Sequence, residues 1–430
     1  MDFIHAYLLS PGSILVAVVT AIFLANGSWP LPKNKTDKVA NLALSDHDSS
    51  GDLSVTKEPE VPEGWYHSQE VFELERRALF SKSWLYLAHV TQFKKPGAYQ
   101  SFDVAGFPVF LIRGKDDKIR TFHNVCRHRA YTITRKETGA SGVLGCRYHG
   151  WSYDTYGRLV KAPKFEDVPG FEKSENSLFE IHTHTTDQGS VFVNLDSGEP
   201  VPMEDSTLYA LNEFTRHADL GIKSEWLTGQ TLTGAFNWKL GTNARHFVDL
   251  ATQLEQRLPE ILQPSIATRI ARAIWQKNQK ANCSLFPGTF LYSFEQKDMW
   301  LSLTFLPSSE TSTRVRYDLF TSSPKTGVDG DALNSVVAEV IWDFITGIEF
   351  ESQSVTEKTA LNSPATYKVL KQLQEHQKLE RISGGLVRPA MRQPKGSSLF
   401  QQAEQLCKEL DCSGPGSQGG SSISSSGLDW

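Results

Sequence analysis

Apolar and polar positions divide the chain into regions with different expected structures. A mostly apolar run over residues 3–25 dominates residues 1–32, whereas residues 33–63 are polar, with serines and glycine among acidic side chains. We interpret this polar stretch as a flexible linker. Residues 411–430 consist mainly of Gly, Ser, Pro and Gln, a composition typical of a disordered tail.

Short apolar runs separated by turn signals follow the linker. A helix is expected to begin near Ser68, where apolar residues at helical spacing accompany several glutamates. Residues 114–117 have the composition of a hairpin turn. Strand-like runs cover residues 84–90, 98–104, 108–113 and 119–124. This pattern predicts a small antiparallel β-domain over residues 64–180.

The second half of the chain alternates between strand and helix patterns. Strands are predicted at residues 190–194, 285–293, 300–305 and 314–320. Helices are predicted at residues 208–216, 243–257, 266–278, 332–349 and 365–377. The expected fold class is α+β, in which the small β-domain is followed by a larger domain over residues 181–410 with a sheet and covering helices.

The apolar N-terminal run has three interpretations. A secretory signal peptide needs a basic start, which Asp2 and His5 do not supply. A membrane anchor needs ~20 apolar residues, a length the run reaches if a few serines and one proline are tolerated. The third interpretation is a buried or interfacial helix. We favour the anchor, and Lys33, Lys35 and Lys38 behind it predict a body facing the cytosol. A soluble cytoplasmic protein is the alternative.

Composition and charge narrow the function classes. The 430 residues suffice for two or three domains, and 39% hydrophobic with 22% charged residues is typical of globular proteins. The net charge of −5 gives no indication of a nucleic-acid partner. Five cysteines, an odd and sparse set, are poor material for a disulfide framework. They suit a reducing compartment, where cysteines bind metals or pack as small core residues.

Two short motifs carry the clearest chemistry. Cys126-x-His128 is followed after 17 residues by Cys146-x-x-His149, so each half supplies one thiolate and one imidazole. In a Rieske [2Fe–2S] cluster, two cysteines bind one iron and two histidines bind the other. Two Cys and two His also suit tetrahedral zinc. The Cys-x-His spacing and the Tyr-His-Gly-Trp context favour the iron–sulfur cluster.

The region around these motifs resembles the N-terminal domain of the Rieske non-haem iron oxygenases, including choline-monooxygenase-like and ring-hydroxylating members. The resemblance runs from about Trp65 to Pro163 and rests on Phe72-Glu-Leu-Glu-Arg76, Gly97-Ala-Tyr99, Phe122-His-Asn124, Cys146-Arg-Tyr-His-Gly-Trp151 and Gly157-Arg-Leu159. It implies an external reductase or ferredoxin, a small-molecule substrate and, in many members, a homo-oligomer. It also implies a second, ferrous iron held by two histidines and one carboxylate.

The ligands of that second iron are harder to place. In the family, a His-x4-His pair follows an Asn-Trp-Lys sequence, which is present here at residues 237–239. No two histidines after the cluster motif have four residues between them, so the pair is absent from this sequence. Three hypotheses follow. The iron site is lost, or an altered site uses His246 and Asp249 with a distant Asp343, or His246 and Asp249 are an ordinary hydrogen-bonded pair on one helix.

The sequence therefore predicts a Rieske-type, monooxygenase-like oxidoreductase, in which electrons pass through a [2Fe–2S] cluster to O2 chemistry on a small organic substrate. A mononuclear Fe(II) belongs to this hypothesis, although the sequence identifies no catalytic residue. The alternative is a pseudo-oxygenase without that iron, acting as an electron carrier, redox sensor or binding module. Iron content separates the two, since the cluster alone accounts for about two irons per chain and the oxygenase for about three.

Overall fold

A computed structural model describes residues 61–389, apart from residues 167, 219, 259–280, 295–298, 323–329, 357–359 and 361–363. The predicted anchor, most of the predicted linker, the tail and the predicted helix at residues 266–278 lie outside the described residues. Within the described part of the chain, no helix is long and apolar enough to cross a bilayer.

The described residues include both short and long α-helices. The N-terminal one begins as predicted, because the Ser68 hydroxyl caps it by accepting a hydrogen bond from the Val71 N–H. It continues into one π-helical turn, Arg76–Phe80. The α-helices are α1 Gln69–Glu75, α2 Asp205–His217, α3 Trp238–Gly241, α4 Ala244–Arg257, α5 Gly330–Ser352 and α6 Pro364–Ser383.

The first half of the described chain forms two antiparallel sheets. Its strands are β1 Leu85–His89, β2 Ala98–Val104, β3 Phe107–Arg113, β4 Ile119–His123, β5 Thr138–Ala140, β6 Val143–Gly145, β7 Ser152–Asp154, β8 Leu159–Lys161, β9 Glu180–Thr185 and β10 Ser190–Asn194. Seven of them follow the order β1-β10-β9-β4-β3-β2-β5, and β6, β7 and β8 form a smaller sheet. Because β10 pairs with β1, the larger sheet extends past the predicted boundary at residue 180.

The second half forms a five-stranded antiparallel sheet in the order β11-β15-β14-β13-β12. These strands are β11 Glu225–Gly234, β12 Asn282–Leu285, β13 Thr289–Ser293, β14 Met299–Ser309 and β15 Ser312–Thr321. The single strand predicted at residues 285–293 is instead a hairpin between β12 and β13, because Pro287 and Gly288 interrupt it. Helix α5 buries an apolar face that includes Val337, Ile341 and Ile345. The predicted α+β class is confirmed.

A buried ion pair joins α1 to the start of the second half. Glu75 is fully buried, and one of its carboxylate oxygens binds the ammonium of Lys239. The other accepts a hydrogen bond from Trp238 Nε1 at 2.8 Å. The Lys239 ammonium also lies 4.4 Å from the centre of the Trp65 ring, a cation–π contact. Burial lowers the pKa of Lys239, while the Glu75 carboxylate opposes that shift.

A second buried polar group connects the five-stranded sheet to the turn Val90–Gln92 that follows β1. Asp318 on β15 accepts hydrogen bonds from Gln92 Nε2 and Trp226 Nε1, both at 2.9 Å. Arg316 reaches the same carboxylate with two nitrogens, at 2.9 and 2.8 Å. The Asp318 carboxylate is almost fully buried. Its negative charge is stabilised because both of its oxygens accept hydrogen bonds, including two from the Arg316 guanidinium. The junction is therefore fixed in orientation as well as buried.

We expect Glu75→Gln to destabilise the protein strongly. The change leaves the Lys239 ammonium buried without its counter-charge, so the free energy of unfolding should fall by about 3–5 kcal/mol. Urea denaturation followed by tryptophan fluorescence measures this. Glu213→Gln is the matched control, because Glu213 pairs with Arg216 at the exposed surface and should cost about 1 kcal/mol or less. Equal losses for the two variants would contradict the importance of the buried pair.

Stability should also fall in mild acid because of His89. This imidazole is buried between the sheets, with ring centroids 5.5 Å from Trp300 and 5.6 Å from Phe320. Burial lowers its pKa to about 4, although a hydrogen bond to the Gln188 carbonyl acts in the opposite direction. The unfolded chain, with a pKa near 6.5, binds this proton first as the pH falls, so unfolding is favoured.

The stability contributed by neutral His89 is present above about pH 6.5 and is lost as the pH falls towards 4. The loss amounts to about 3 kcal/mol. Urea midpoints measured at neutral and acid pH should therefore differ less for His89→Gln than for the unmodified protein. An identical pH dependence in both would show that His89 is not the group responsible.

Candidate iron–sulfur site

Two loops of matching backbone geometry carry the Cys/His motifs. In the first loop, which follows β4, Cys126 N–H donates to the Tyr131 carbonyl at 2.8 Å and Ala130 N–H donates to the Cys126 carbonyl at 2.9 Å. The second loop, between β6 and β7, repeats this arrangement. Cys146 N–H donates to the Trp151 carbonyl at 2.7 Å, and Gly150 N–H donates to the Cys146 carbonyl at 3.0 Å.

Each loop also turns at a residue with positive φ, four positions after its cysteine. These residues are Ala130, with a φ of 60°, and Gly150, with a φ of 74°. The left-handed conformation suits glycine and is uncommon for alanine, so the first loop needs support from its surroundings. Asn124 supplies part of it, because its side chain exchanges hydrogen bonds at 2.9 Å with the backbone of Thr134. Sequence reasoning had given Asn124 no role in the loop, although an asparagine beginning a loop after a strand is a typical signal for such bonding.

The structure brings the four predicted cluster residues together as two pairs. The thiols of Cys126 and Cys146 are hydrogen-bonded to each other, and both cysteines are buried. The rings of His128 and His149 lie 4.4 Å apart between centroids. His128 is buried, whereas His149 is partly exposed. One pair of sulfur donors beside one pair of imidazoles is the donor set of a two-iron Rieske cluster.

Backbone N–H groups also point at the sulfur atoms. The pKa of Cys146 is lowered to about 6, first by the hydrogen bond with Cys126 and then by the N–H groups of Tyr148 and His149. The pKa of Cys126 is raised, first by the hydrogen bond with Cys146 and then by burial, while the Tyr153 hydroxyl and the His128 N–H act in the opposite direction. Such donors stabilise thiolates, the form in which cysteine binds metal. Among the described residues, no three Cys, His, Asp or Glu side chains are grouped to hold a single metal ion.

Aromatic side chains enclose the buried side of the site. The His128 ring stacks on Trp151, with centroids 5.0 Å apart and planes 10° apart, and Phe165 contacts it edge-on. The Tyr153 hydroxyl lies 3.3 Å from Cys126 Sγ and accepts a hydrogen bond from the Arg127 N–H. Burial raises the pKa of Tyr153, so its hydroxyl keeps the proton that it can donate to sulfur. Water is thereby excluded from one side of the cluster site.

The candidates for a mononuclear iron are not gathered in the same way. His246 Nε2 lies 2.8 Å from the Glu351 carboxylate, so α4 and α5 are joined by this pair. Asp249 and Asp343 are exposed, because neighbouring apolar residues such as Leu250 occupy the buried positions of the helices. The described part of the chain contains no three-ligand group at this position. Sequence reasoning did not pair Glu351 with His246, since the two are far apart along the chain.

His246 and Glu351 line a cavity of about 120 Å³, whose wall also includes Thr366 and Val369 of α6. Its other lining residues include Tyr66, Trp238, Lys239 and Asn243. The cavity therefore lies at the Asn-Trp-Lys sequence, where the resemblance places the second iron. Among the described histidines, His246 is the only one that lines it.

Sequence comparisons identify a known domain in the cluster-bearing half of the chain. A sequence profile of the Rieske [2Fe–2S] domain matches residues 83–172. Chlorobenzene dioxygenase subunit alpha from Cupriavidus sp. (strain PS12) is 39% identical over 31% of this chain and 30% of its own length. The oxygenase subunit of carnitine monooxygenase from Acinetobacter pittii (strain PHEA-2) is 33% identical over 42% of this chain and 48% of its own length. The chain thus spans less than half of these curated relatives.

Solved structures extend the likeness of fold further along the chain. The quaternary ammonium Rieske monooxygenase CntA, in complex with L-carnitine, matches 69% of this chain and 85% of its own, with a TM-score of 0.54 and 21% identity. The fold of the two halves is therefore shared with that protein. Together with the Rieske domain match, this confirms the predicted resemblance to Rieske oxygenases and supports a [2Fe–2S] cluster.

Replacing Tyr153 by phenylalanine should lower the reduction potential of the cluster. The hydroxyl hydrogen bond to Cys126 Sγ stabilises the reduced, more negative cluster. Loss of about 1 kcal/mol corresponds to about 40 mV for one electron. A spectroelectrochemical titration measures the shift, and Tyr156→Phe serves as control because that ring instead lies under Arg120. An unchanged potential in Tyr153→Phe would show that this hydrogen bond does not tune the cluster.

Proposed function

We propose that this chain, which carries a Rieske [2Fe–2S] domain in a fold shared with Rieske oxygenases, is an oxidoreductase that takes electrons from a reductase or ferredoxin. The observation that supports this is the convergence of two matched loops on one thiol pair and one imidazole pair. In this proposal Cys126 and Cys146 bind one iron, and His128 and His149 bind the other. A [2Fe–2S] cluster held there supplies one-electron transfer.

The protein's own residues then set how that transfer occurs. Neutral imidazoles in place of two thiolates make reduction easier than in an all-cysteine cluster. Trp151 and Phe165 exclude water from the His128 side. Water therefore contributes little there to stabilising the negative charge that a bound cluster would gain on reduction. His149 is the partly exposed ligand. Electrons are therefore expected to enter from the His149 side.

We further propose that the electrons are used for O2 chemistry on a small organic substrate, as in a monooxygenase. Insertion of one oxygen atom into a C–H bond consumes O2, two electrons and two protons and releases water, and the external reductase supplies both electrons. The cavity lined by Tyr66, Trp238 and His246 is the proposed place for the substrate, since it mixes apolar walls with a few polar groups.

The described residues around this cavity do not fit the family's mononuclear iron site. A two-histidine, one-carboxylate set needs a second imidazole, and His246 is the single histidine that the described cavity wall contains. Its Nε2 is already engaged by Glu351. This observation favours a second candidate function, in which the protein is an electron carrier, redox sensor or binding module with the cluster as its only redox group.

Iron analysis of anaerobically purified full-length protein tests the proposed function. We expect at least about two irons per chain and a Rieske-type electron paramagnetic resonance signal after reduction. Cys126→Ser should abolish both, because it removes a thiolate ligand. Cys283→Ser should retain both, since Cys283 is a buried cysteine of the second half. Loss of the cluster in both variants, or in neither, would contradict the ligand assignment.

The same measurement separates the two versions of the function. About three irons per chain, one of them lost in His246→Ala without change in the visible absorption of the cluster, would support the monooxygenase. About two irons, with no uptake of added ferrous ion, would assign the second candidate.

A further inference from the structure

Helices α4 and α5 lie side by side and are joined near both ends. His246 Nε2 lies 2.8 Å from the Glu351 carboxylate at one end, and Arg257 Nη2 lies 2.9 Å from the Glu339 carboxylate at the other. His246 precedes Arg257 along α4, whereas Glu351 follows Glu339 along α5, so the two helices are antiparallel. Their apolar faces pack into the core of the second half. A groove therefore runs between their outer faces.

Two large aromatic side chains stand on the α5 side of this groove. Trp342 and Phe350 are 50% and 78% exposed. Together with the exposed Thr346 they recur at intervals of four residues, so they form one stripe along the helix. Gly347 is exposed beside that stripe, and a Cβ atom at this position would meet nothing within 4 Å. The groove is therefore open at its centre to the close approach of another chain.

The rim of the groove is acidic. Helix α5 contains five acidic residues and neither lysine nor arginine. Asp343, one turn from Glu339, is exposed, and so is Asp249, one turn from His246 on α4. Both carboxylates therefore lie next to the contacts that join the helices. We define the α4–α5 groove by its rim and anchor residues, which are Asp249, Trp342, Asp343, Gly347 and Phe350.

We propose that the α4–α5 groove is the docking site for a basic amphipathic helix of a partner protein, with Trp342 and Phe350 as the anchors. A third helix laid along two antiparallel helices places its apolar side chains between them, which is a recurrent mode of peptide recognition. Exposed Trp and Phe provide the desolvated centre of such a contact. Lysine or arginine at the flanks of the incoming helix pairs with the rim carboxylates. The same acidic rim repels an anionic lipid surface, which disfavours a membrane as the occupant.

Peptide binding to the full-length protein tests the groove. The probe is a fluorescein-labelled amphipathic helix of leucine and lysine, about 18 residues long so that it is helical when bound, and fluorescence anisotropy gives its Kd. Trp342→Ser/Phe350→Ser should weaken binding at least about tenfold, because it removes both anchors. Gly347→Leu should weaken binding as well, since the new side chain fills the open centre of the groove while leucine favours the helix more than glycine does. Asp249→Lys/Asp343→Lys should do the same and reduce the dependence of Kd on salt.

Two controls make the result specific. Tyr209→Ser/Ile222→Ser removes apolar side chains that are 69% and 66% exposed and belong to α2 and to the segment before β11, rather than to α4 or α5. Its Kd should stay within about twofold of that of the unmodified protein, since exposed apolar residues outside the groove do not take part. A leucine and glutamate peptide of the same pattern should bind the unmodified protein at least about tenfold more weakly than the leucine and lysine peptide.

Four outcomes would overturn the docking site. The first is equal peptide affinity in the groove and control variants, and the second is equal affinity for the lysine and glutamate peptides. The third is an oligomer that dissociates in the groove variants, which would make a second copy of the chain the occupant. The fourth is an unmodified protein that binds no peptide while Ile266→Ser/Ile270→Ser/Ile274→Ser binds it, which would assign the groove to the chain's own residues. Iron content is unaffected by any of these outcomes, so the proposed function is judged separately.

Discussion

The structure depends on one requirement, that two loops separated in sequence bring a thiol pair and an imidazole pair to the same place. Each loop meets it with the same pair of backbone hydrogen bonds around its cysteine and a left-handed residue four positions later. Glycine takes that conformation at low cost in the second loop, whereas Ala130 in the first is held by surrounding bonds such as those of Asn124. The aromatic wall of Trp151 then fills the space behind His128 and excludes water. These contacts hold the four side chains in paired positions, which suits a cluster with fixed ligand geometry.

The rest of the fold holds this site against a second, larger sheet. Two buried charged groups mark the junction, the Glu75–Lys239 pair and the Asp318 carboxylate with its donors. Burying charges is costly unless each is paired and hydrogen-bonded, so these contacts specify one arrangement of the halves rather than adding large net stability. Lys239 belongs to the Asn-Trp-Lys sequence and also lines the cavity of the second half. The same residue therefore connects the cluster-bearing half to the place where a substrate is proposed to bind.

The second half shares its fold with a solved Rieske monooxygenase, but the described wall of its cavity carries one histidine. Helices α4 and α5 meet through His246 and Glu351, which engage each other. An imidazole bound to a carboxylate at the wall of a cavity can orient a polar ligand, but by itself it supplies one of the two histidines that a family iron site uses. The two cysteines and two histidines of the proposed cluster site lie together, whereas the described wall of this cavity contains one histidine.

The sequence by itself determined the cluster motifs, the antiparallel β-domain and the α+β class, because metal-ligand spacing, alternating strands and turn residues are local patterns. It also located the start of α1 through the cap at Ser68. It did not determine that β10 returns to pair with β1, that residues 285–293 form a hairpin, or that Glu351 meets His246. Pairing between distant segments depends on how the cores pack, and a helical spacing of three, as between His246 and Asp249, cannot show which face is buried. Only the tertiary structure decided those contacts, and with them the residues that line the cavity.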